Sequence, residues 1–373
     1  MTILMLTPSP NIRGPIMKHT PILVEELRTL GCAIDTLPWG ANENDEKLSR
    51  KISGRILSIV QVHELLKKNI YDLLIIKTAH DWAAVIRDLT LLWTTRHLRP
   101  LTILQIHGSQ SHRLAEGKPK LFKKATKVVL DLCDGVMLLS TEEQNDFMRF
   151  YASKKFWTVE NPVVLNSPEK VVHNQWSLPN SKSKLLFVGR LVKEKGIFEL
   201  LHAVATLTQK HDIHLLILGV GPEENAVKKL IDKLGISKTV TLGGYTEGQK
   251  LIAAYKEADI LILPSWIEGF PTVVTEAMQH GTAIVTTKIR GVADHLIENE
   301  NAIYTPVNDA NALASNIEKL VNNPQLRDKI VQTNKVKVQD FLPKPVALRY
   351  LETIYKIINQ KTIPDQVANP LGT

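Results

Sequence analysis

The sequence predicts an α/β protein built from two doubly wound parallel sheets, and three observations carry this prediction. Short apolar segments alternate with amphipathic helical patterns along the chain, which is typical of parallel sheets covered by helices on both faces. The alternation stops at 161–184, a segment with three prolines, and then resumes. The chain of 373 residues is long enough for two domains with separate cores. We therefore expect two Rossmann-like halves.

The individual elements follow from the same patterns. In the first half, five apolar segments are too short for buried helices and predict strands: TILMLT (2–7), AIDTL (33–37), YDLLIIK (71–77), LTILQI (101–106) and GVMLLS (135–140). Helical patterns lie near 16–30, 47–68, 80–96, 118–132 and 141–151. The second half predicts six further strands: KLLFVG, IHLLILG, TVTLGG, DILILPS, TAIVTT and NAIYTP.

These patterns predict the domain boundaries. We expect a first domain at 1–165, a linker at 166–183 and a second domain at 184–343. An amphipathic helix at 344–360 follows, and then a tail at 361–373 rich in Pro, Asn and Gly, for which we expect disorder.

Composition excludes several classes of protein. A content of 44% hydrophobic and 23% charged residues excludes wholesale disorder. The sequence has no apolar run long enough for a membrane span and no secretory signal at its start, so we expect a cytoplasmic protein. Two cysteines, Cys32 and Cys133, allow neither a disulfide framework nor a cysteine-rich zinc site.

The net charge of +8 is spread over both halves and no nucleic-acid-binding motif accompanies it. We therefore expect an acidic small ligand or an anionic membrane surface as partner, and no nucleic acid.

Candidate site residues follow the strands of the second half, because ligands bind at the carboxyl ends of parallel strands. Two cations before a helix form an anion site, and glycine allows close approach to the backbone. Each feature alone also has an ordinary explanation as a solvated loop charge or a tight turn. The strand ends carry, in order, Gly189 with Arg190 and Lys195; Gly219 with Gly221; Gly244 with Tyr245; and Glu268, Gly269, Phe270 and Pro271 with Glu276.

This set of residues suggests a diphosphate ligand that also carries sugars. Arg190, Lys195 and backbone amides near 269–272 would hold the diphosphate, and the two carboxylates would accept hydrogen bonds from sugar and ribose hydroxyls. A dinucleotide such as NAD is disfavoured, because no Gly-x-Gly-x-x-Gly follows the first strand.

The order Gly-Arg-Leu-x4-Lys-Gly, Leu-Gly-x-Gly-Pro, Ala-Asp-Ile-x3-Pro-Ser and Glu-Gly-Phe-Pro-x4-Glu-Ala-Met resembles the family 4 retaining glycosyltransferases. The resemblance covers 184–306. It implies the GT-B architecture, with two domains facing each other across a cleft and the final helix crossing back to the first domain.

The resemblance also implies roles for single residues. Glu268 would contact hydroxyls of the donor sugar and Glu276 the ribose, while Arg190 and Lys195 would neutralise the diphosphate. Backbone amides around Phe270, Pro271, Thr272 and Val273 would hold phosphate and sugar.

The first half resembles the family more loosely. The family usually has a glycine pair in the first strand–helix loop, and this sequence has only Gly14 there. His107, at the end of the fourth strand, matches the family's active-site histidine near the donor sugar. His112 is the alternative, and either histidine also fits a structural place in a loop.

The implied reaction is a retaining sugar transfer from a nucleotide sugar, with no cofactor and no metal. The sequence is consistent with the absence of an aspartate-coordinated metal, because it contains no Asp-x-Asp motif. We favour same-face displacement, with a phosphate oxygen accepting the acceptor's proton, and a short-lived covalent intermediate stays open.

The acceptor side rests on weaker signals. A cell-surface polysaccharide or glycolipid acceptor fits the family. The basic segments 46–68 and 118–127 suit either a solvated helix face or contact with an anionic membrane.

Two other classes of function compete: an epimerase or hydrolase of the same architecture, and a non-catalytic nucleotide-sugar-binding protein. The first would need an additional acid/base pair at the anomeric centre, for which the sequence offers no candidate. The nucleotide base, sugar, linkage and oligomeric state stay open.

Overall fold

The computed structural model describes residues 1–9, 15–40, 48–68, 70–98, 100–109, 111–114, 120–163, 183–268 and 270–362. The chain divides into two compact units. Unit 1 comprises Met1–Val164 and Leu342–Thr373, and unit 2 comprises Leu165–Phe341. Within the described residues each unit contains one parallel sheet of six strands. The predicted class of two Rossmann-like α/β domains is therefore confirmed.

Unit 1 alternates strands and helices in the predicted order. The strands are β1 (Thr2–Thr7), β2 (Ala33–Pro38), β3 (Leu73–His80), β4 (Leu101–Ser109), β5 (Gly135–Leu138) and β6 (Trp157–Thr158). The helices are α1 (Pro15–Thr29), α2 (Leu48–Lys67), α3 (Trp82–Thr94), α4 (Lys120–Asp131) and α5 (Thr141–Phe150). The sequence did not predict β6, because two residues leave no periodic pattern.

The sheet of unit 1 has the order β2-β1-β3-β4-β5-β6. Its strands are nearly continuous apolar runs, because helices cover both faces of the sheet. Capping residues start two of these helices: Asp81 accepts from the Ala84 amide at 2.9 Å, and Ser140 accepts from the Glu143 amide at 3.2 Å. From β1 the chain continues to β2 on one side and then crosses to β3 on the other side of β1. The switch point of the sheet, where the connections change direction, therefore lies between β1 and β3.

Unit 2 repeats the architecture. Its strands are β7 (Ser183–Val188), β8 (Ile213–Leu218), β9 (Val240–Gly244), β10 (Ile260–Leu263), β11 (Ala283–Thr287) and β12 (Ile303–Thr305). Its helices are α6 (Ile197–Leu207), α7 (Glu224–Lys233), α8 (Gly248–Glu257), α9 (Thr272–His280), α10 (Arg290–His295), α11 (Ala310–Val321) and α12 (Pro324–Lys337). The sheet order is β12-β11-β10-β7-β8-β9, so the switch point lies between the neighbours β7 and β10.

The last helix, α13 (Pro343–Thr362), packs in unit 1 although it follows unit 2 in the chain. The Tyr350 hydroxyl donates to Gln105 Oε1 on β4 at 2.9 Å, and Arg349 Nε lies 3.2 Å from Glu160 Oε2. The helix extends two residues into the predicted tail, whose remainder lies outside the described residues. The predicted linker also lies outside them, except Ser183, which begins β7.

Candidate active site

The candidate residues of unit 2 lie at the switch point of its sheet. Lys195 follows β7 and Glu268 follows β10, and these two strands are parallel neighbours. In doubly wound sheets this is where a crevice forms, because the connections on either side lead away in opposite directions. The topology therefore brings together two loops that the sequence separates by about seventy residues.

Lys195 and Glu268 form an ion pair at this point. Lys195 Nζ donates to Glu268 Oε1, and the Ser265 hydroxyl donates to the same oxygen at 2.9 Å. The two charged side chains are 24% and 12% exposed. The pair is therefore partly shielded from bulk solvent, and it places a cation and a carboxylate together at the carboxyl edge of the sheet.

The two loops support each other through the backbone. The Trp266 amide donates to the Glu194 carbonyl at 2.8 Å, which links the loop after β10 to the loop after β7. Gly196 has a left-handed φ of +68°, and a Cβ at this position would lie 2.1 Å from the Pro264 carbonyl oxygen. Only glycine fits here, and the close contact fixes Lys195 relative to Glu268.

Gly219 and Gly221 contact the chain's own backbone. A Cβ at Gly219 would lie 1.8 Å from the Gly189 carbonyl oxygen, and a Cβ at Gly221 would lie 2.3 Å from the Leu191 carbonyl oxygen. The sequence predicts these glycines as points of close approach for a ligand. In the structure they allow the turn after β8 to pack against the segment 189–191, so packing alone accounts for them.

Gly189 itself, at the end of β7, is more open. A Cβ at this position would lie 3.3 Å from the tip of the Phe187 ring and 4.0 Å from the side chain of Lys195. A side chain here would therefore press on Phe187 and extend toward Lys195, so glycine leaves the surroundings of the lysine free.

Helix α9 begins directly after the Glu-Gly-Phe-Pro segment. Pro271 is the N-cap, with an extended backbone, and Thr272 is the first helical residue. No side chain of the described residues caps this helix, so the first amides, at Thr272 and Val273, lack intrahelical partners and can bind an anion. The Phe270 side chain is buried, with ring centroids 4.8 Å from His295 and 5.0 Å from Phe341. Gly269 lies outside the described residues.

Glu276 sits in the middle of α9 and is held from α8. The Tyr255 hydroxyl donates to Glu276 Oε2 at 2.8 Å. Burial, together with the adjacent Glu276 carboxylate, raises the pKa of Tyr255 well above its usual value, so the phenol keeps its proton. Tyr255 therefore fixes one carboxylate oxygen of Glu276.

Of the remaining predicted residues of unit 2, Arg190 and Tyr245 are exposed and Gly244 is partly buried. Arg190 lies at the surface, and among the described residues no carboxylate forms an ion pair with it. Gly244 has a φ of +67° with open space where a Cβ would be, and the Tyr245 hydroxyl donates to Glu247 Oε2 at 2.6 Å. Arg190 is thus a cation at the switch point whose charge no protein carboxylate neutralises within the described part of the chain.

In unit 1, His107 lies near the end of β4 and is buried. Neither of its ring nitrogens has a hydrogen-bond partner among the described residues. Burial, with Lys77 and His19 nearby, lowers its pKa well below 6.5, so the ring is neutral. His112 lies in a short 3-10 helix, Ser111–Leu114, and its side chain is outside the described part, as is Gly14.

Two supporting residues were not predicted from the sequence. Ser265 appears in the Pro-Ser motif but gave no indication that it binds Glu268. Tyr255 lies at helical spacing from the buried Leu251 and Ile252, which is the ordinary pattern of a core residue. Only the packing of α8 against α9 identifies its hydroxyl as a partner of Glu276.

Comparisons with known proteins relate this α/β chain to glycosyltransferases. Residues 169–337, somewhat less than half of the chain, match the family model described as glycosyl transferases group 1. This supports a group 1 glycosyltransferase with the GT-B fold. This match does not distinguish family 4 within the group.

Three known proteins illustrate the similarity. The capsular polysaccharide biosynthesis glycosyltransferase CapM of Staphylococcus aureus is 27% identical over 187 residues, which is 50% of this chain and 49% of CapM. The D-inositol 3-phosphate glycosyltransferase of Corynebacterium urealyticum is 26% identical over 340 residues, covering 84% of this chain and 77% of that protein. This chain thus spans about half the length of some curated relatives.

Among solved structures, Anabaena HepE in complex with UDP and glucose superposes with a TM-score of 0.72 at 17% identity. The superposition covers 95% of this chain and 100% of HepE. At this identity the likeness establishes the fold, and with it the two-domain GT-B architecture.

Proposed function

We propose that the chain is a family 4 retaining glycosyltransferase of the hexosyltransferase type. It would move a sugar from a nucleoside diphosphate sugar to a hydroxyl group of a glycan or a lipid-linked acceptor. The observation that carries the proposal is the contact of Lys195 with Glu268 at the switch point of unit 2. The group 1 family match and the polysaccharide-assembling relatives support the same class.

In the proposed donor site, cationic groups and amides bind the diphosphate of the nucleotide sugar, and carboxylates bind its hydroxyl groups. Arg190, Lys195 and the first amides of α9 bind the diphosphate, because cations and free amides stabilise phosphate oxygens. Glu268 accepts hydrogen bonds from the sugar hydroxyls. Glu276, with one oxygen held by Tyr255, accepts hydrogen bonds from the ribose hydroxyls.

Catalysis then depends on charge at the leaving group. As the bond from the anomeric carbon to the phosphate oxygen breaks, negative charge accumulates on the diphosphate, and Arg190 and Lys195 stabilise it. The acceptor oxygen bonds to the anomeric carbon on the same face, and a phosphate oxygen accepts its proton. No metal takes part in this scheme, and His107 assists at the donor sugar.

The location of the protein is part of the proposal. Among the helices of the described residues, none is long and apolar enough to span a bilayer. Exposed Leu121 and Val128 lie on α4 beside exposed lysines, and Ile56 and Leu57 on α2 are about 60% exposed. Basic helices with exposed apolar side chains bind anionic lipid surfaces. We propose a cytoplasmic protein that contacts the inner face of the cell membrane.

The experiment that tests the function is a binding screen of UDP-, GDP- and ADP-sugars, followed by product analysis with the preferred donor and candidate acceptors. A new glycosidic bond with the donor's anomeric configuration supports the proposal. Release of free sugar in the presence of acceptors would indicate a hydrolase. Binding without turnover would indicate a non-catalytic protein.

Single substitutions test the assigned roles. Glu276→Gln should mainly weaken donor binding, about tenfold to a hundredfold, because a hydrogen bond to a charged group contributes roughly 1.5–3 kcal/mol. Arg190→Ala should lower turnover by about 10²–10³, because it stabilises charge that grows in the transition state. Normal turnover of Arg190→Ala at saturating donor would place the diphosphate elsewhere.

A further inference from the structure

A buried cluster of polar side chains lies on one face of the unit 1 sheet. Lys77 on β3 is in register with Gln105 on β4, and His107 lies two residues further along β4. Strand residues two apart share a face, so these three side chains point to the same side. His19 on α1 joins them. We call this set, Lys77, Gln105, His107 and His19, the Lys77 cluster.

Every member of the cluster is more than nine-tenths buried. Around it the same face of the sheet is apolar: Ile75 and Ile103 pack with α1 and α13 in one hydrophobic core. A lysine in such a place loses its hydration, which is costly for the charged form. Burial accordingly lowers the pKa of Lys77 from 10.5 to about 7.

The cluster has more hydrogen-bonding capacity than the described residues satisfy. Both ring nitrogens of His107 and Nε2 of Gln105 have no hydrogen-bond partner among those residues, whereas His19 has the Pro162 carbonyl as a neighbour. Gln105 is held in place through its other end, where Oε1 accepts from Tyr350. Buried polar groups without partners are costly. Three such atoms in one place, beside a buried lysine, indicate a polar ligand.

The charges indicate the sign of that ligand. Lys77 lowers the pKa of both histidines, and His19 also lowers that of His107, so the three groups lie close enough to repel one another when charged. His19 has a pKa of about 4, which reflects burial and the nearby Lys77 and Lys18 against a raising effect from the Pro162 carbonyl. Among the described residues, no carboxylate contributes to any of these shifts. The cluster lacks a negative partner.

We propose that the Lys77 cluster is a binding site for a phosphate-type anion, held by Lys77 Nζ, the amide of Gln105 and the imidazoles of His19 and His107. Lys77 on β3 supplies an ammonium donor, and on β4 the Gln105 amide and the ring N–H of His107 supply two more, with the His19 imidazole of α1 beside them. Such a converging set fits a tetrahedral oxyanion. The anion also offsets the charge that burial disfavours on Lys77.

The position in the fold suits a ligand site. Lys77 lies near the carboxyl end of β3, one of the two strands at the switch point of unit 1. His107, the most exposed member, lies at the end of β4, where the strands meet the surface. Under the proposed function, on which this part rests, the anion is a phosphoryl group of the acceptor.

The test is calorimetric titration of the full chain with inorganic phosphate and, separately, sulfate, in the absence of donor and acceptor. We expect wild type to bind one anion in unit 1, and Lys77→Met to lose at least tenfold in affinity. Lys67→Met, an exposed lysine on α2, is the matched control and should bind as wild type does. Arg190→Ala should retain the Lys77-dependent binding, which separates this site from the proposed diphosphate site.

The pH dependence gives a second readout with sulfate, whose charge is constant near neutrality. Lys77 must be protonated in the complex, so affinity should fall as pH rises from 7 to 9. The other groups facing Lys77, namely His19, His107 and the Tyr350 phenol, do not change charge in this range, because their pKa values lie below and above it. Lys18 is a further basic neighbour of His19.

The outcomes are distinct. Equal anion affinity in Lys77→Met and wild type would overturn the proposal, and so would a response that chloride reproduces, since that marks an adventitious ion only. If Lys77→Met does not fold, His19→Gln should weaken binding severalfold, and unchanged binding there would overturn the proposal. None of these anion-binding measurements depends on sugar transfer, which the donor and acceptor assay of the proposed function measures separately. Anion binding at Lys77 in a protein without transferase activity would refute the proposed function and leave this site standing.

Discussion

The ion pair at the switch point of unit 2 leads to a prediction about coupling. Lys195 and Glu268 contact each other directly, so each substitution changes the surroundings of the other group. In Lys195→Ala, the carboxylate of Glu268 would face the donor diphosphate without a compensating cation. Removing that carboxylate as well should then cost little or partly restore activity. The two effects should therefore not add.

The magnitudes follow from the assigned roles. Loss of a charge-stabilising donor costs about 10²–10³ in turnover, which we expect for Lys195→Ala. Loss of a charged hydrogen bond to the sugar costs about 1.5–3 kcal/mol, which we expect for Glu268→Gln as a tenfold to hundredfold drop. Side chains in contact show coupling energies of roughly 0.5–3 kcal/mol. Glu268→Gln introduced into Lys195→Ala should accordingly cost at least about twofold less than it does in wild type.

The assay is a double-mutant cycle on turnover at saturating donor, with unfolding free energies measured in parallel. The matched control is the pair Lys184–Glu257, at 2.8 Å with 26% and 27% exposed side chains. It lies at the amino end of β7, away from the site. Lys184→Ala and Glu257→Gln should leave turnover within about twofold of wild type. Additive losses for Lys195 and Glu268 would refute the coupling.

Three further predictions concern the same molecule. Tyr255→Phe should weaken nucleoside diphosphate binding about threefold to tenfold with turnover retained at saturating donor, because Glu276 loses the hydrogen bond that orients it; unchanged affinity by calorimetry would contradict this role. Activity should survive excess EDTA, because the side chains of Arg190 and Lys195 take the place of a metal ion at the diphosphate. A loss of activity that Mg²⁺ or Mn²⁺ restores would contradict this prediction. Co-sedimentation with liposomes should rise with anionic lipid and fall with salt, because each basic residue near the surface contributes about 1 kcal/mol to membrane binding. If co-sedimentation depends on neither, the basic helices are ordinary solvated helix faces.

The sequence determined the elements and one edge of the site. Apolar runs such as LLII in β3 specify strands buried on both faces, and such strands form parallel sheets under helices. The charged and glycine residues after β7 and β10 could be placed at one edge, because carboxyl ends of parallel strands lie together. Hence Arg190, Lys195, Glu268 and Glu276 could be selected from the sequence.

Tertiary structure decided which of these groups meet. The neighbour relation of β7 and β10 places Lys195 against Glu268, 73 positions away, and a linear pattern does not encode strand order. Tertiary structure also places Tyr255 beside Glu276. It shows that position 219 needs glycine because the Gly189 carbonyl lies against it, and not because a ligand does. Lys77 is the clearest case, since in sequence it is a single cation after an apolar strand. Only the packing of α1 and α13 over that face removes its solvent and surrounds it with unpaired donors.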